Sequence, residues 1–319
     1  MAVLVGIDEA GYGPILGPLV VSSSSFSLPD ELVWSDLWQI LNKSVSVSRK
    51  HLCGRLLIAD SKKAYTRSLG IGHLQRTVLT ALKCLGKEPV TLTELLDTLC
   101  PHRPEPLSDY PWYKDAGVLR LSGDCADRMV VSSVLADDLA RNNIRLMTLQ
   151  SCCLDVAYYN RMVKAVKNKA SVLFTATAQL IKKAYENSPD DVLHIIIDRQ
   201  GGRTHYRTGL QMMFPQMELR ILKEDQQHSS YELKTKNSLM QVHFMVAADQ
   251  KYLPVSLASM VSKYLRELLV GCINKYFTSF CTGLKPTAGY WEDGLRFIEQ
   301  LRKDLPNIQF DSEQLIRCR

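Results

Sequence analysis

Short, unbroken apolar runs open the chain and return along it. Residues 2–7 (Ala-Val-Leu-Val-Gly-Ile) are apolar throughout and stop at Asp8-Glu9 and a glycine-rich turn. That is the pattern of a central strand buried on both faces. After Gly11-Tyr12-Gly13-Pro14 the stretch from Leu16 to Phe26 is rich in Val and Ser and reads as a second strand. The sheet is therefore expected to begin with a hairpin rather than a βα unit. Residues 73–85 repeat their apolar positions at helical spacing. A further helix is predicted over 170–186, where Val172, Leu173, Ala176, Leu180 and Ala184 share one stripe and Lys182-Lys183 lie near the end. Asp190-Asp191 follow, and Val192-Leu-His-Ile-Ile-Ile then forms a second buried strand ending at Asp198.

Residues 217–223 and 239–248 are expected as two more strands joined by a polar stretch, and 254–270 and 291–303 as amphipathic helices. The proline-rich segment from Cys100 to Pro106 and the motif Tyr110-Pro-Trp-Tyr mark a loop or insertion. The aromatic residues of 110–113 would form either a hydrophobic plug beneath it or an accessory surface. The expected organisation is α/β: one catalytic domain over 1–270 with an insertion at about 88–160, then a small helical extension over 271–319.

Composition narrows this picture only a little. In 319 residues, 46% are hydrophobic and 23% charged, as in ordinary globular proteins. The net charge of +6 suits a polyanionic partner without demanding one. The nine cysteines are scattered, with no C-x-x-C pair, so neither a disulfide framework nor a structural zinc is expected. Free thiols fit a reducing compartment, Met1 leads straight into the first strand with no cleavable signal, and no apolar run approaches the length of a membrane span. A cytoplasmic protein with no membrane partner is the expectation.

The chemistry lies at the strand ends. Ile7 gives way to Asp8-Glu9, Ile197 to Asp198 and Ala248 to Asp249. Acids converging from several strand ends repel unless a cation neutralises them. Hard oxygen ligands suit Mg²⁺ or Mn²⁺, and two such ions about 4 Å apart cleave phosphodiesters by activating water and stabilising the leaving oxygen. Each acid taken singly is also compatible with a plain helix or turn cap. The glycines after the first strand are spaced G-x-G-x-x-x-G, which is not the dinucleotide fingerprint, and Asp8 and Glu9 would repel a pyrophosphate.

The segment Gly6-Ile7-Asp8-Glu9-Ala10-Gly11-Tyr12-Gly13-Pro14-Ile15-Leu16-Gly17-Pro18-Leu19-Val20-Val21 closely resembles the opening motif of the ribonuclease HII family. Asp60-Ser61-Lys62-Lys63, Leu193–Asp198, the block from Ala248 to Lys263, and Gly289-Tyr290 resemble the family's later motifs, in its order. The resemblance spans positions 6 to 290. It implies a ribonuclease H-like mixed sheet flanked by helices. It also implies hydrolysis of the RNA strand in RNA–DNA hybrids, or incision at ribonucleotides embedded in DNA, with Mg²⁺ or Mn²⁺. Asp8, Glu9, Asp198 and Asp249 would hold the metals. Ser61, Lys62 and Lys263 would position phosphates, the backbone of Gly11-Tyr12-Gly13 would read the ribose, and Tyr290 would sense the substrate.

Three departures stand out. Tyr12 replaces the Arg or Lys usual in the family's glycine turn, so it supplies no cation and could instead stack on a base or sugar. Arg199 follows Asp198 where the family has Gly, and Arg199-Gln-Gly-Gly-Arg203 is either a phosphate-contacting loop or an exposed turn. The long interval after Asp198 leaves Asp225, in Lys223-Glu224-Asp225, as a rival to Asp249; the match continuing through Ser256, Ser259 and Lys263 favours Asp249. Two other functions remain open on these residues: a nuclease of the same fold acting on DNA without ribose discrimination, and a non-catalytic nucleic-acid-binding protein.

Overall fold

In the computed structural model, which describes residues 1–103, 107–121, 123–188, 192–281, 283–306, 308 and 310–318, the first strand is the middle of the molecule. Strand β1 (Ala2–Ala10) pairs antiparallel with β2 (Leu19–Leu28), the expected hairpin. The chain then passes through α1 (Leu37–Ile40), the short parallel pair β3 (Val45–Ser46) and β4 (Leu56–Leu57), α2 (Ser61–Ala64), α3 (Gly72–Cys84), α4 (Leu92–Leu99) and α5 (Cys125–Arg141). Strand β5 (Arg145–Leu154), α6 (Val156–Val166) and α7 (Lys169–Glu186) come next. They are followed by β6 (Val192–Asp198), α8 (Arg207–Met213), β7 (Glu218–Glu224), β8 (His228–Lys234) and β9 (Leu239–Met245). The long α9 (Leu253–Phe280), α10 (Trp291–Asp304) and α11 (Ser312–Leu315) complete the described elements.

The main sheet is mixed, seven-stranded and ordered β5-β2-β1-β6-β9-β8-β7. Strands β1, β6 and β9 are mutually parallel and occupy its centre. Side-chain alternation divides β1 between two cores. Ala2 and Leu4 pack on the side of α9, whereas Val3, Val5 and Ile7 pack with Val172, Leu173 and Ala176 of α7. A strand covered on both faces in this way accounts for its unbroken apolar sequence.

Helix α9 sits directly on the hairpin. A Cβ at Gly6 would lie 2.2 Å from the Pro254 carbonyl carbon and the Val255 nitrogen, so only glycine allows that approach. The Ser24 hydroxyl on β2 donates to the Pro254 carbonyl at 2.7 Å. The opening motif thus contains the contact that seats the helix following Asp249.

Several expectations change. The polar stretch between the two expected late strands contains β8, which pairs with both β7 and β9. Within the span read as an insertion, 88–160, β5 is an edge strand of the main sheet, paired with β2. Helix α9 runs through position 270, so the expected boundary there falls inside a helix. Tyr110, Trp112 and Tyr113 are buried, and Trp112 packs on Phe277 with ring centroids 5.8 Å apart, which makes this segment the plug. Residues 104–106 of the proline-rich segment and Asp190-Asp191 lie outside the described residues. Among the described residues no helix is long and apolar enough to cross a membrane.

Candidate active site

Because β1, β6 and β9 are parallel, their C-terminal ends meet at one edge of the sheet. Ile7 registers with Ile197, which sets Asp8 and Asp198 side by side one step further on. Both have the parity that faces α9, like Leu4 and Ile196. Glu9 takes the opposite parity, where its charge reaches Tyr12 and Tyr206. Asp8 is buried, and its side chain accepts a hydrogen bond from Ser259 and one from the Glu9 N–H at 2.7 Å. Ser262 donates to the Asp8 carbonyl at 3.0 Å, so one face of α9 fixes this acid through two hydroxyls.

Asp249 reaches the site by a different route from the one expected. Strand β9 ends at Met245, and Asp249 lies on a 3₁₀ turn over Ala248–Gln250, beyond the strand itself. Ala247 turns the chain with φ 53°, a left-handed conformation that alanine rarely adopts. The Asp198 carboxylate holds this turn by accepting the Ala248 N–H at 2.7 Å and the Asp249 N–H. Asp198 therefore also acts as the cap that positions Asp249. The Ser256 hydroxyl donates to the Asp249 carbonyl, closing the turn onto α9.

All four acids are pushed above the ordinary carboxylate range. Burial is the largest cause for each. Asp8 is raised well above normal by burial and by the charges of Glu9 and Asp198. Glu9 rises to about 8 through burial and Asp198, and Asp249 to about 7 through burial, Asp198 and Asp60. Asp198 is raised by burial, against the hydrogen bonds it accepts from Ala248 and Asp249. Among the described residues no three His, Cys, Asp or Glu side chains already close on a single point to hold an ion. The acids stand within electrostatic reach of one another without forming a finished chelate.

A fifth carboxylate belongs to this group. Asp60 is buried, caps α2 by accepting the Lys62 N–H at 2.9 Å, and shares a side-chain hydrogen bond with Asp249. In the sequence Asp60 stands only as the first residue of a motif, and its one signal is an acid directly before the expected phosphate-binding Ser61-Lys62. The exposed Lys62 ammonium lowers Glu9, Asp198 and Asp249 by its charge. Ser61 lies beside Ser259, with hydroxyl oxygens 3.0 Å apart. Lys263, in contrast, is engaged elsewhere. It pairs with Glu267 at 2.7 Å and lies 4.6 Å from the Tyr65 ring centroid.

The glycine turn and Tyr290 are bound to each other. The Gly289 carbonyl accepts the N–H groups of Ile15 at 2.8 Å and Leu16 at 3.2 Å. Gly11 has φ +94°, and a Cβ there would meet the Arg266 side chain and the Pro18 carbonyl at 2.7 Å; Gly13 faces open space. Arg266 joins the two segments. Only 1% exposed, it donates to the Leu16 and Ala288 carbonyls at 3.3 and 2.9 Å and lies 5.6 Å from the centre of the Tyr290 ring. Nothing in the apolar pattern of its helix singled it out. Tyr290 remains half exposed.

Two other candidates are engaged in local contacts. Asp225 occupies the turn between β7 and β8, where it accepts the Gln227 and His228 N–H groups, each at 2.8 Å, and pairs with Lys223 at 2.9 Å. In the loop after Asp198, Arg199 donates to the carbonyls of Arg203 and Gln226, and Arg203 covers Phe174 at 4.5 Å. These guanidinium groups hold the loop together.

No family model and no curated protein matches the chain. Among solved structures it is similar to the RNase HII of Archaeoglobus fulgidus, solved with PCNA. That likeness has 15% identity, covers 99% of this chain and 94% of the other, and has a TM-score of 0.45. It is also similar to the ribonuclease H2 of Pyrococcus horikoshii OT3, at 12% identity, 98% and 92% coverage and a TM-score of 0.39. A third is Bst-RNase HIII in complex with Mn²⁺, at 14% identity, 99% and 66% coverage and a TM-score of 0.40. Likeness of this degree does not fix an activity.

Proposed function

We propose that the protein is a divalent-metal-dependent endonuclease that cuts at ribonucleotides, in RNA–DNA hybrids or embedded in DNA. The observation that carries this reading is the gathering of Asp8, Glu9, Asp198 and Asp249, with Asp60, at one sheet edge, where each of the first four has its pKa raised. Mutually repelling buried carboxylates are the environment a cation relieves, and an all-oxygen donor set fits Mg²⁺ or Mn²⁺. Asp8, Glu9, Asp198 and Asp249 would hold the ions. When bound, such ions supply activation of water and stabilisation of the departing oxygen.

The chain's own groups supply the positioning. Lys62 and Ser61, at the start of α2 beside the acids, present a cation and a hydroxyl to a backbone phosphate. The Gly11-Tyr12-Gly13 turn brings bare backbone close to a sugar, because Gly13 leaves open space where a side chain would stand. Tyr290, exposed and tied to that turn through Gly289, provides an aromatic face next to it. Ser259 and Ser262 keep Asp8 fixed, and Asp198 keeps Asp249 fixed.

The test uses three labelled duplexes, all DNA, RNA–DNA hybrid, and DNA with one ribonucleotide, incubated with Mg²⁺ or Mn²⁺ beside an Asp8→Asn variant. Cutting is expected only where ribose is present, leaving 5′-phosphate and 3′-hydroxyl ends, and is lost in the variant. Equal, Asp8-dependent cutting of all three would move the function to a nuclease without ribose discrimination, the reading that Tyr12 favours. Binding without any cutting would overturn the enzyme reading.

A further inference from the structure

Behind the glycine turn lies a groove of about 820 Å³ whose lining includes Tyr12, Lys164, Lys167, Lys169, Trp291 and Arg317 and, among the described residues, no acidic one. One of its charges, Lys169, is out of keeping with the local rules of helix stability. Helix α7 is long and begins at Lys169, with no acid in its first turn. A cation at a helix N-terminus opposes the helix dipole, so Lys169 works against the helix it opens, whereas Lys167 is the left-handed C-cap of α6, where a cation is favourable. Both are exposed, and Lys169 lies 5.3 Å from the Tyr12 ring centroid. Lys164 is partly neutralised by Glu313 at 2.6 Å.

The groove's floor carries a second, independent anomaly. Arg317 is 4% exposed, and its Nε and Nη1 have no hydrogen-bond partner among the described residues. Its Nη2 donates to the Pro14 carbonyl, in the loop that follows the glycine turn, and its guanidinium lies 4.9 Å from the Tyr159 ring centroid. Among the described residues no carboxylate stands within ion-pair distance of it. A buried charge left without a counter-ion is costly, and the groove above it is where a counter-ion would lie.

We infer that this groove binds the phosphate backbone of a nucleic-acid strand as it runs on from the carboxylate site past Tyr12. Three features select a polynucleotide over a small anion. The groove is lined by Tyr12 and Gly13 of the turn proposed to read the ribose; three lysines, at 164, 167 and 169, line it together; and Tyr12 and the half-exposed Trp291 offer aromatic faces for bases. Lys167 and Lys169 contact phosphates directly, and Arg317 supplies positive potential from beneath. The inference rests on the nucleic-acid reading of the site but not on its catalysis.

The test is fluorescence anisotropy of a labelled RNA–DNA duplex in EDTA, so that binding is read without cutting. Wild type is compared with the double variant Lys167→Glu/Lys169→Glu and with Arg317→Gln across a salt series. At low salt the double variant is expected to bind at least about tenfold more weakly, with a log K against log salt slope shallower by roughly two. Arg317→Gln is expected to weaken binding at every salt concentration. Wild-type affinity and slope in the folded double variant, whose substitutions are on the surface, would overturn the inference even if Arg317→Gln fails to fold. Inorganic phosphate raising the melting temperature without competing with the duplex would overturn it in favour of a small-anion pocket. Unchanged binding beside intact ribonucleotide cutting would sink the groove alone. Groove-dependent binding without cutting would sink the nuclease alone.

Discussion

Asp225 and Asp249 are both acids just beyond a strand, both compete in the sequence for the same role, and they meet opposite fates. Asp225 pairs with Lys223 and accepts two backbone N–H groups, which together hold its carboxyl at about 2. Asp249 is half-buried among Asp198 and Asp60 and rises to about 7. A carboxylate whose charge is already answered by its own turn has nothing left to offer a ligand. One placed among other carboxylates is costly to keep ionised, and that cost is released only when something positive arrives. The difference separates a turn cap from a candidate ligand more sharply than strand position does.

The most severe way to break the comparison is to neutralise each acid in turn. Asp249→Asn is expected to lower ribonucleotide-specific cutting by more than about a hundredfold, the loss that follows removal of a metal-binding group. Asp225→Asn should leave the cutting rate unchanged. Steady-state rates at saturating Mg²⁺ decide it; equal losses would mean that Asp225 reaches the site in solution.

A smaller effect follows from pH. Glu9 at about 8 and Asp249 at about 7 lie above their ordinary values, so the folded protein keeps protons that the unfolded chain releases. The metal-free protein must therefore lose stability as pH rises from about 4 through 8. Melting temperatures in EDTA should fall over that window, and added Mn²⁺ should flatten the decline. Asp249→Asn should raise the metal-free melting temperature at pH 8 and not at pH 5, where the carboxyl is already protonated. Asp225 has the reverse sign: with its carboxyl held at about 2, its contribution is present above its ordinary 3.8 and is lost only as pH falls toward 2. A flat metal-free profile between pH 5 and 8 would remove the electrostatic argument for the site.

The same contrast shows what was legible in the sequence. Asp8, Glu9 and Asp198 could be read because apolar runs buried on both faces end abruptly at them. Strand β8 could not, because its buried positions include Ser229 and Ser230, whose hydroxyls bond to the Thr204 carbonyl and to His243 Nδ1. Polar residues satisfied inside a sheet look like loop residues when only hydropathy is read. Strand β5 was hidden in a similar way, since its partner is the serine-rich β2 and the two share hydroxyl pairs such as Ser22–Ser151 at 2.7 Å. Asp60 joins the acids, and Arg266 and Arg317 brace the glycine turn and the loop after it, only through contacts between distant parts of the chain. No local pattern encodes those.

The smallest expected effect concerns how Asp249 is held. Ala247 is left-handed at φ 53°, a conformation that costs a non-glycine residue about 1–2 kcal/mol. Glycine removes that strain but raises the entropy of the unfolded chain by roughly 0.5–1 kcal/mol. Ala247→Gly should therefore stabilise the protein by less than about 1 kcal/mol, as read by urea unfolding. Ala247→Val, with a branched side chain at positive φ, should destabilise it by more than that. Cutting should survive in the glycine variant, because the turn is also pinned by the Asp198 carboxylate on the Ala248 N–H. If the glycine variant folds yet loses activity, the stiffness of residue 247, and not the hydrogen bond that the Asp198 carboxylate accepts, is what keeps Asp249 among the acids.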